Sequence, residues 1–468
     1  MVFSSIPFLF YFFPVVMILY YAVPFRAKNL LLLVASLIFY AWGEPIYIVL
    51  MVFSSVVDYT NGRLIEKFEG NRKMQKAVMI LSVCINVGLL GFFKYADFLV
   101  GNVNALLGTS IKTAGLPLPI GISFYTFQTM SYSIDVYRGD VKAERKFLNF
   151  MCYVSMFPQL IAGPIVRYQT VAEELKERTI NFDGFCEGFK TFTIGLGKKV
   201  LIANNIGMLW AELSASPTMT ASLAWLGIVA FAFQIFFDFS GYSSMAIGLG
   251  RMFGFSYPEN FNYPYIAKNI TDFWRRWHMS LSTWFKDYVY IPLGGSRCSK
   301  IINLRNLLIV WMVTGFWHGS NWNFIIWGLY FGVILICEKS FMLKALEKTP
   351  AVVKHAYAIF LILIGWAIFA FEDMSMLIAF FGSLFGANGG SSGEFWFYLK
   401  NYAMVIAFAV MFSVPTVKVI KAKAQENGSV VLLTTLEIIE GVALVGIFFL
   451  STMYLVDASF NPFLYFRF

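Results

Sequence analysis

The chain of 468 residues is 58% hydrophobic and only 13% charged, with a mean hydropathy of +0.67. Soluble domains carry about 25% charged residues, so this balance excludes an ordinary soluble enzyme and points to lipid as the solvent. The net charge of +9 does not imply nucleic acid: the Lys and Arg excess falls in short loops between apolar runs, leaving no soluble basic face.

The opening run MVFSSIPFLFYFFPVVMILYY lacks a basic n-region and a small-residue cleavage site, which predicts a retained first helix rather than a signal peptide. Apolar runs lie near 5–24, 29–42, 46–58, 77–99, 116–137, 147–165, 185–211, 220–250, 303–319, 321–338, 355–371, 397–417 and 431–456. They predict an all-α polytopic membrane protein of about 10–13 transmembrane or re-entrant helices, since runs under about 20 residues must tilt, break or turn back. No Pro- or Ser-rich linker interrupts them, so residues 1–468 read as one integral domain. The five cysteines, Cys84, Cys152, Cys186, Cys298 and Cys337, form no CxxC pair, which predicts neither a metal site nor a disulfide framework.

Loop charge orients the spans. Arg63, Lys67, Arg72, Lys73 and Lys76 place the loop between the third and fourth runs in the cytoplasm, and the same holds for 268–305, 339–354 and 417–423. Between Lys354 and Lys400 there is no Lys or Arg, so GANGGSSGEF at 386–395 reads as a flexible outside loop. Its GGSSG matches GxSxG formally, but without the strand–turn–helix context of a nucleophile elbow. The sequons at Asn269 and Asn427 fall in loops assigned to the cytoplasm and read as inert.

In the run 220–250, Gln234, Asp238, Ser240 and Tyr242 put polar groups into an apolar span. An intramembrane carboxylate is a functional candidate by default, with an Arg or His partner expected for Asp238. The bland alternative is a buried structural network, and Asp287 is weighed in the same way.

The segment 260–297 does not read as a span. It interleaves Trp274, Trp277 and Trp284 with Arg275, Arg276 and Lys286. On a helix, Trp274, Trp277 and His278 would share a face that Leu281 continues. Such composition suits a segment in the cytoplasmic interface, and equally a site that receives an anionic, nucleotide-like ligand, because Arg grips phosphate with two parallel donors.

Next, 303–319 and 321–338 form a hairpin whose tip carries His318, one of only three histidines in the chain. From Arg305 the helix rises about 20 Å, at about 1.5 Å per residue, which carries His318 well away from the cytoplasmic face. An imidazole there is costly and needs a reason; the bland reading is a packed histidine bonded to a backbone carbonyl. Gly328 and Gly332 form a GxxxG, more often a sign of close helix packing than of a specified dimer. His355, beside Lys354, reads as structural.

Taken together, DFWRRWHMSLSTWFKDYVYIPLGGSR and GFWHGSNWNFIIWGLYFG resemble the membrane-bound O-acyltransferase superfamily, in its alginate O-acetylase-like branch. FPQLIAGPIVRY at 157–168, FQIFFDFSGYSSMAIGLGRMFGF at 233–255 and the terminal NPFLYFRF spread the similarity over nearly the whole chain. The D-alanyl transferases of teichoic acid synthesis share WHMSLS, whereas the IPLGG continuation at 291–295 favours the acetylase branch. The resemblance implies a helical bundle around a central tunnel, with His318 as the catalytic histidine and His278 as a second one on the cytoplasmic side. It also implies a bacterial cytoplasmic membrane enzyme that binds no cofactor. Such an enzyme takes acetyl from acetyl-CoA or a carrier-protein thioester in the cytoplasm. It delivers the acetyl to hydroxyls of an exported polysaccharide, directly or through a periplasmic relay protein. One departure lies at 365–374, where Ala370 and Glu372 stand where relatives tend to carry a basic residue, which leaves the acceptor open.

The chemistry suits these residues. A thioester is already activated, and the alcohol lacks only a base, a task matched to histidine near neutral pH. An apolar site disfavours the imidazolium and keeps such a base ready for a proton. Around His318, Trp317 and Trp322 are expected to wall the tunnel, and Asn321 or Ser320 to orient the imidazole or hold an oxyanion. The remaining substrate-binding or supporting candidates are Trp274, Arg275, Arg276, Trp284, Asp287, Gln234 and Asp238. A transporter is the competing class, but transporters often show inverted repeats, and none is evident.

Overall fold

The computed structural model describes residues 1–216 and 219–457, and every regular element among them is a helix. The terminal NPFLYFRF therefore lies outside the described residues. Among those described, seven helices are long and apolar enough to cross a membrane, or eight if one pair bent by 64° is a single span. The other expected membrane segments are shorter or broken helices or, as with Lys300–His318, a helix of sufficient length that is less apolar. The chain divides into two compact units, Met1–Phe192 with Ser243–Pro258 and Thr193–Tyr242 with Glu259–Phe468.

The first unit contains α1 (Phe13–Ala22), α2 (Phe25–Gly43), α3 (Ile48–Lys67), α4 (Arg72–Leu107), α5 (Ile122–Arg138), α6 (Phe147–Ser155), α7 (Phe157–Leu160) and α8 (Tyr168–Val171). Nearly all of α5 is buried, although Ser123, Thr126, Gln128, Thr129, Ser131 and Ser133 make it polar for a membrane helix. Gly121 and Gly139 bracket it at φ +77 and +86, a left-handed geometry that costs glycine little. Part of this polarity, at Thr129 and Ser133, serves Asp58 of α3, which is fully buried. Its carboxylate accepts hydrogen bonds from Ser82, from Asn86 at 2.7 Å and from Ser133 at 2.8 Å, so one acid pins α3, α4 and α5. Neutral donors make a buried carboxylate tolerable where no water can. Arg178, also buried, is spent within the same unit on Tyr20, Asn29 and the carbonyl of Phe253.

Two helices, α9 (Phe182–Gly197) and α11 (Ala221–Met252), contribute residues to both units, and α10 (Asn204–Ser214) lies between them in the chain. The second unit continues with α12 (Ile270–Trp274), α13 (Met279–Phe285), α14 (Lys300–His318), α15 (Trp322–Cys337), α16 (Leu343–Glu347), α17 (Ala351–Ala370) and α18 (Met374–Leu384). It closes with α19 (Gly393–Asn401), α20 (Ala403–Phe412), α21 (Thr416–Glu426) and α22 (Val430–Asp457). Its core is aromatic: Phe273, Trp277, Trp327, Phe331, Trp366 and Phe369 are all buried. By contrast, the most apolar stretch of α22 has no residue buried within the protein, as suits a helix whose neighbours are lipid.

The glycine-rich stretch read as a flexible outside loop is instead bonded into this unit. The carbonyls of Gly389 and Gly390 accept from the backbone N–H groups of Ala221 and Ser222, at 2.9 and 3.0 Å. Those N–H groups open α11 and have no partner within their own helix, so the loop supplies one.

Candidate active site

α14 and α15 form the predicted hairpin, and glycine lets their backbones touch. A Cβ on Gly315 would sit 2.4 Å from the carbonyl oxygen of Phe324, and one on Gly328 would sit 2.5 Å from that of Trp311. The GxxxG glycine Gly328 thus serves packing within the chain. At the tip the ring of Phe324 occupies the space a side chain on Gly319 would need, at 2.1 Å. The chain leaves α14 there in extended conformation, and His318 becomes its last residue.

His318 is buried at 7% exposure. Its ring meets those of Trp317, Trp327 and Phe369 at centroid distances of 4.8, 4.9 and 5.4 Å, each close to edge-on. Phe369 comes from the end of α17, so three helices enclose this imidazole. Trp322, expected to wall the site, is instead 53% exposed. Asn321 turns away as well, donating to the carboxylate of Glu372 at 3.0 Å.

The shared helical face expected of Trp274, Trp277 and His278 does not form. α12 ends at Trp274, and His278 takes φ +45 and ψ +54 before α13 begins. Left-handed backbone is uncommon outside glycine, and it clusters at functional sites. It aims His278 inward, where it is 2% exposed, 4.7 Å from the ring of Phe239 and 6.0 Å from that of Trp317. Trp317 therefore lies against both imidazoles.

Asn260 fixes the state of His278. Its side-chain oxygen accepts from the backbone N–H of Ser280 at 3.2 Å, the hydroxyl of Ser280 at 2.8 Å and Nδ1 of His278 at 3.1 Å. A backbone N–H needs an acceptor, so this atom is the amide oxygen and His278 carries its proton on Nδ1. Burial pushes the imidazole down to about 3, and the ring is neutral throughout the physiological range.

A buried carboxylate holds this segment in place. Glu338, fully buried, accepts from the N–H groups of Ile270 and Thr271 at 2.7 and 2.8 Å, from the Thr271 hydroxyl at 2.6 Å and from Tyr357 at 3.1 Å. It caps the first turn of α12 from another helix, a favourable place for negative charge. Sequence reasoning passed over it because it sits at the edge of a basic loop. His355 bonds the carbonyl of Ala267 at 3.1 Å, a structural use.

The other candidates fall in different places. Trp274 packs on Trp311, Phe331 and Trp327 at 4.7, 5.0 and 5.5 Å, and so belongs to the His318 cluster. Arg275 is exposed, whereas Arg276 is committed to Asp272 at 2.9 Å and to the carbonyl of Asn262. Trp284 packs on Phe285 and Tyr288, and Asp287 lies half-buried on the π-helical turn that follows α13. Gln234 is buried with its amide nitrogen where a Cβ on Gly207 would sit, so it spaces α10 from α11. Asp238 has a buried partner, but it is Lys199, at 2.5 Å, rather than the expected Arg or His. Lys199 enters α11's surroundings from the π-helical turn Lys198–Ala203. A π-turn adds a residue to the helix and often marks functional positions.

The match to known proteins covers the whole chain. A membrane-bound O-acyltransferase family model matches residues 142–378, which span both histidines. A protein of Azotobacter vinelandii named "Probable alginate O-acetylase AlgI" is 38% identical over 499 residues, covering all of both chains. Its namesake in Pseudomonas aeruginosa is 42% identical over 389 residues, 82% of this chain and 75% of that one. The peptidoglycan O-acetyltransferase of Helicobacter pylori is 35% identical over 463 residues, 89% and 87% of the two chains. This all-helical, multi-pass chain belongs to the membrane-bound O-acyltransferase family and is an O-acyltransferase.

Proposed function

We propose that the protein is an O-acetyltransferase of a bacterial cytoplasmic membrane. It moves acetyl from a cytoplasmic thioester, acetyl-CoA in the simplest case, to hydroxyls of an exported or cell-surface polysaccharide. The observation that carries this reading is His318, an imidazole enclosed by three aromatic rings at a hairpin tip, in a chain similar along its full length to O-acetylases of polysaccharides. His318 takes the proton of the acceptor hydroxyl as its oxygen bonds the thioester carbon. The C–S bond then breaks, and the imidazolium returns the proton to the departing thiolate. General-base help of this kind contributes about 10²–10⁴-fold. His278 is the neutral supporting histidine, and the exposed Arg275 is the guanidinium available to the donor's phosphates.

Purified protein in proteoliposomes, given acetyl-CoA and an acceptor glycan or its relay partner, should release free CoA. His318→Ala should lower that rate at least about 10²-fold while the protein stays folded in detergent. Release at the parental rate by the variant removes the assignment. If no CoA is released but a carrier-protein thioester supplied instead is converted to its free thiol, the donor changes and the base stays.

A further inference from the structure

Two indole N–H groups in the aromatic cluster that holds His318 have no acceptor. The Nε1 atoms of Trp274 and Trp327 are both buried, and neither has a hydrogen-bond partner. Indole nitrogen can only donate, and a buried donor left unpaired costs about 1–3 kcal/mol. Other indoles of the second unit do have acceptors: Trp225 donates to the carbonyl of Leu384 at 3.1 Å and Trp366 to the hydroxyl of Tyr265 at 3.2 Å. The two open donors are also neighbours. Their rings stand 5.5 Å apart and nearly perpendicular, and that of Trp327 stands 4.9 Å from His318. Packing alone does not need the nitrogen, since Phe331 fills the same cluster without one. Unpaired donors next to a base are the arrangement that receives developing negative charge.

We propose that Trp274 and Trp327 are the oxyanion donors of the acyl transfer. This rests on the reading of His318 as the base. As the hydroxyl oxygen bonds the thioester carbon and its proton passes to His318, the carbonyl π pair moves onto the carbonyl oxygen. That oxyanion accepts from the two indole N–H groups. When the carbonyl re-forms, the C–S bond breaks, and the thiolate takes the proton from His318. The donors would bind the ground-state carbonyl weakly and the oxyanion strongly, so their loss should appear in kcat more than in KM.

The test replaces nitrogen without replacing the ring. Incorporating 3-benzothienylalanine at position 327, and in a second protein at 274, keeps the bicyclic shape and removes the donor. Each should lose about 10²-fold in kcat with KM changed less than about threefold, as loss of one such donor does in other acyl transfers. Trp327→Phe should behave alike, and the same replacement at the exposed Trp396 should leave the rate unchanged. With [1-13C]acetyl-CoA bound and acceptor absent, the thioester C=O stretch should rise in frequency when either donor is removed. A benzothienyl protein that turns over at the parental rate overturns the proposal, as does a C=O stretch unmoved by both replacements. His318→Ala keeps the two readings apart. Full activity there with reduced activity in the benzothienyl proteins sinks the base and keeps the donors; the reverse pattern sinks the donors alone.

Discussion

At the scale of single residues, Asn260 carries more of the site than its composition suggests. Its one oxygen takes three donors and thereby selects the tautomer of His278. Asn260→Ala removes an acceptor shared by three buried donors, and should cost about 1–3 kcal/mol of stability and lower kcat. A melting curve in detergent beside a turnover assay checks both. The low value of His278 has its own consequence. Unfolded, the ring protonates near 6.5; folded, it resists until about 3. Between those limits the unfolded state binds more protons, so stability rises with pH, by up to about 1.4 kcal/mol per unit. Chemical denaturation from pH 6 to pH 4 should show that slope, and His278→Gln should flatten it. Sequence marked both histidines because three in so long a chain are conspicuous. It could not show Asn260, an ordinary residue 18 positions away whose role depends on the left-handed turn at His278.

At the scale of elements, the hairpin was legible and the helix before it was not. Arg305, the two apolar runs and the basic loop that follows them foretold α14, His318 and a tip, because charge acts locally. The face drawn through Trp274, Trp277 and His278 assumed one continuous helix, whereas α12 is held at its start by Glu338 and stops after five residues. That restraint comes from a residue 68 positions away, beyond the reach of periodicity. Glu338→Ala should therefore reduce turnover more than Glu338→Gln, which keeps one acceptor oxygen, with exposed controls unaffected. The hairpin makes a sharper prediction. Gly315→Ala forces a methyl into the carbonyl of Phe324, so the two backbones must part, and overpacking of this kind costs about 1–3 kcal/mol. A lowered melting temperature together with lost activity is expected, since His318 sits one turn further along the same helix.

At the scale of the whole molecule, composition decided the fold class because solvent acts on every residue at once. A chain this apolar must satisfy its backbone internally, and helices are the way to do so. The number of full spans was less legible, since α5 and α14 mix polar groups into apolar runs for reasons that lie in their neighbours. Asp58 shows the cost of reading helices one at a time: its donors stand on two other helices, and no local pattern announces them. Asp58→Leu should lower stability by about 1–3 kcal/mol by stranding those donors, while the folded fraction keeps its turnover number. Measuring melting and specific activity on one preparation separates the two effects.

The contact between Lys199 and Asp238 ties the histories of two distant positions together. Losing either partner breaks a buried ion pair, a change worth about 3–5 kcal/mol, whereas trading both for well-fitting apolar side chains is often neutral or better. Single replacements such as Lys199→Met or Asp238→Leu should therefore fail in a growth selection that the joint replacement survives. Natural drift at these sites would then have to proceed in coordinated double steps.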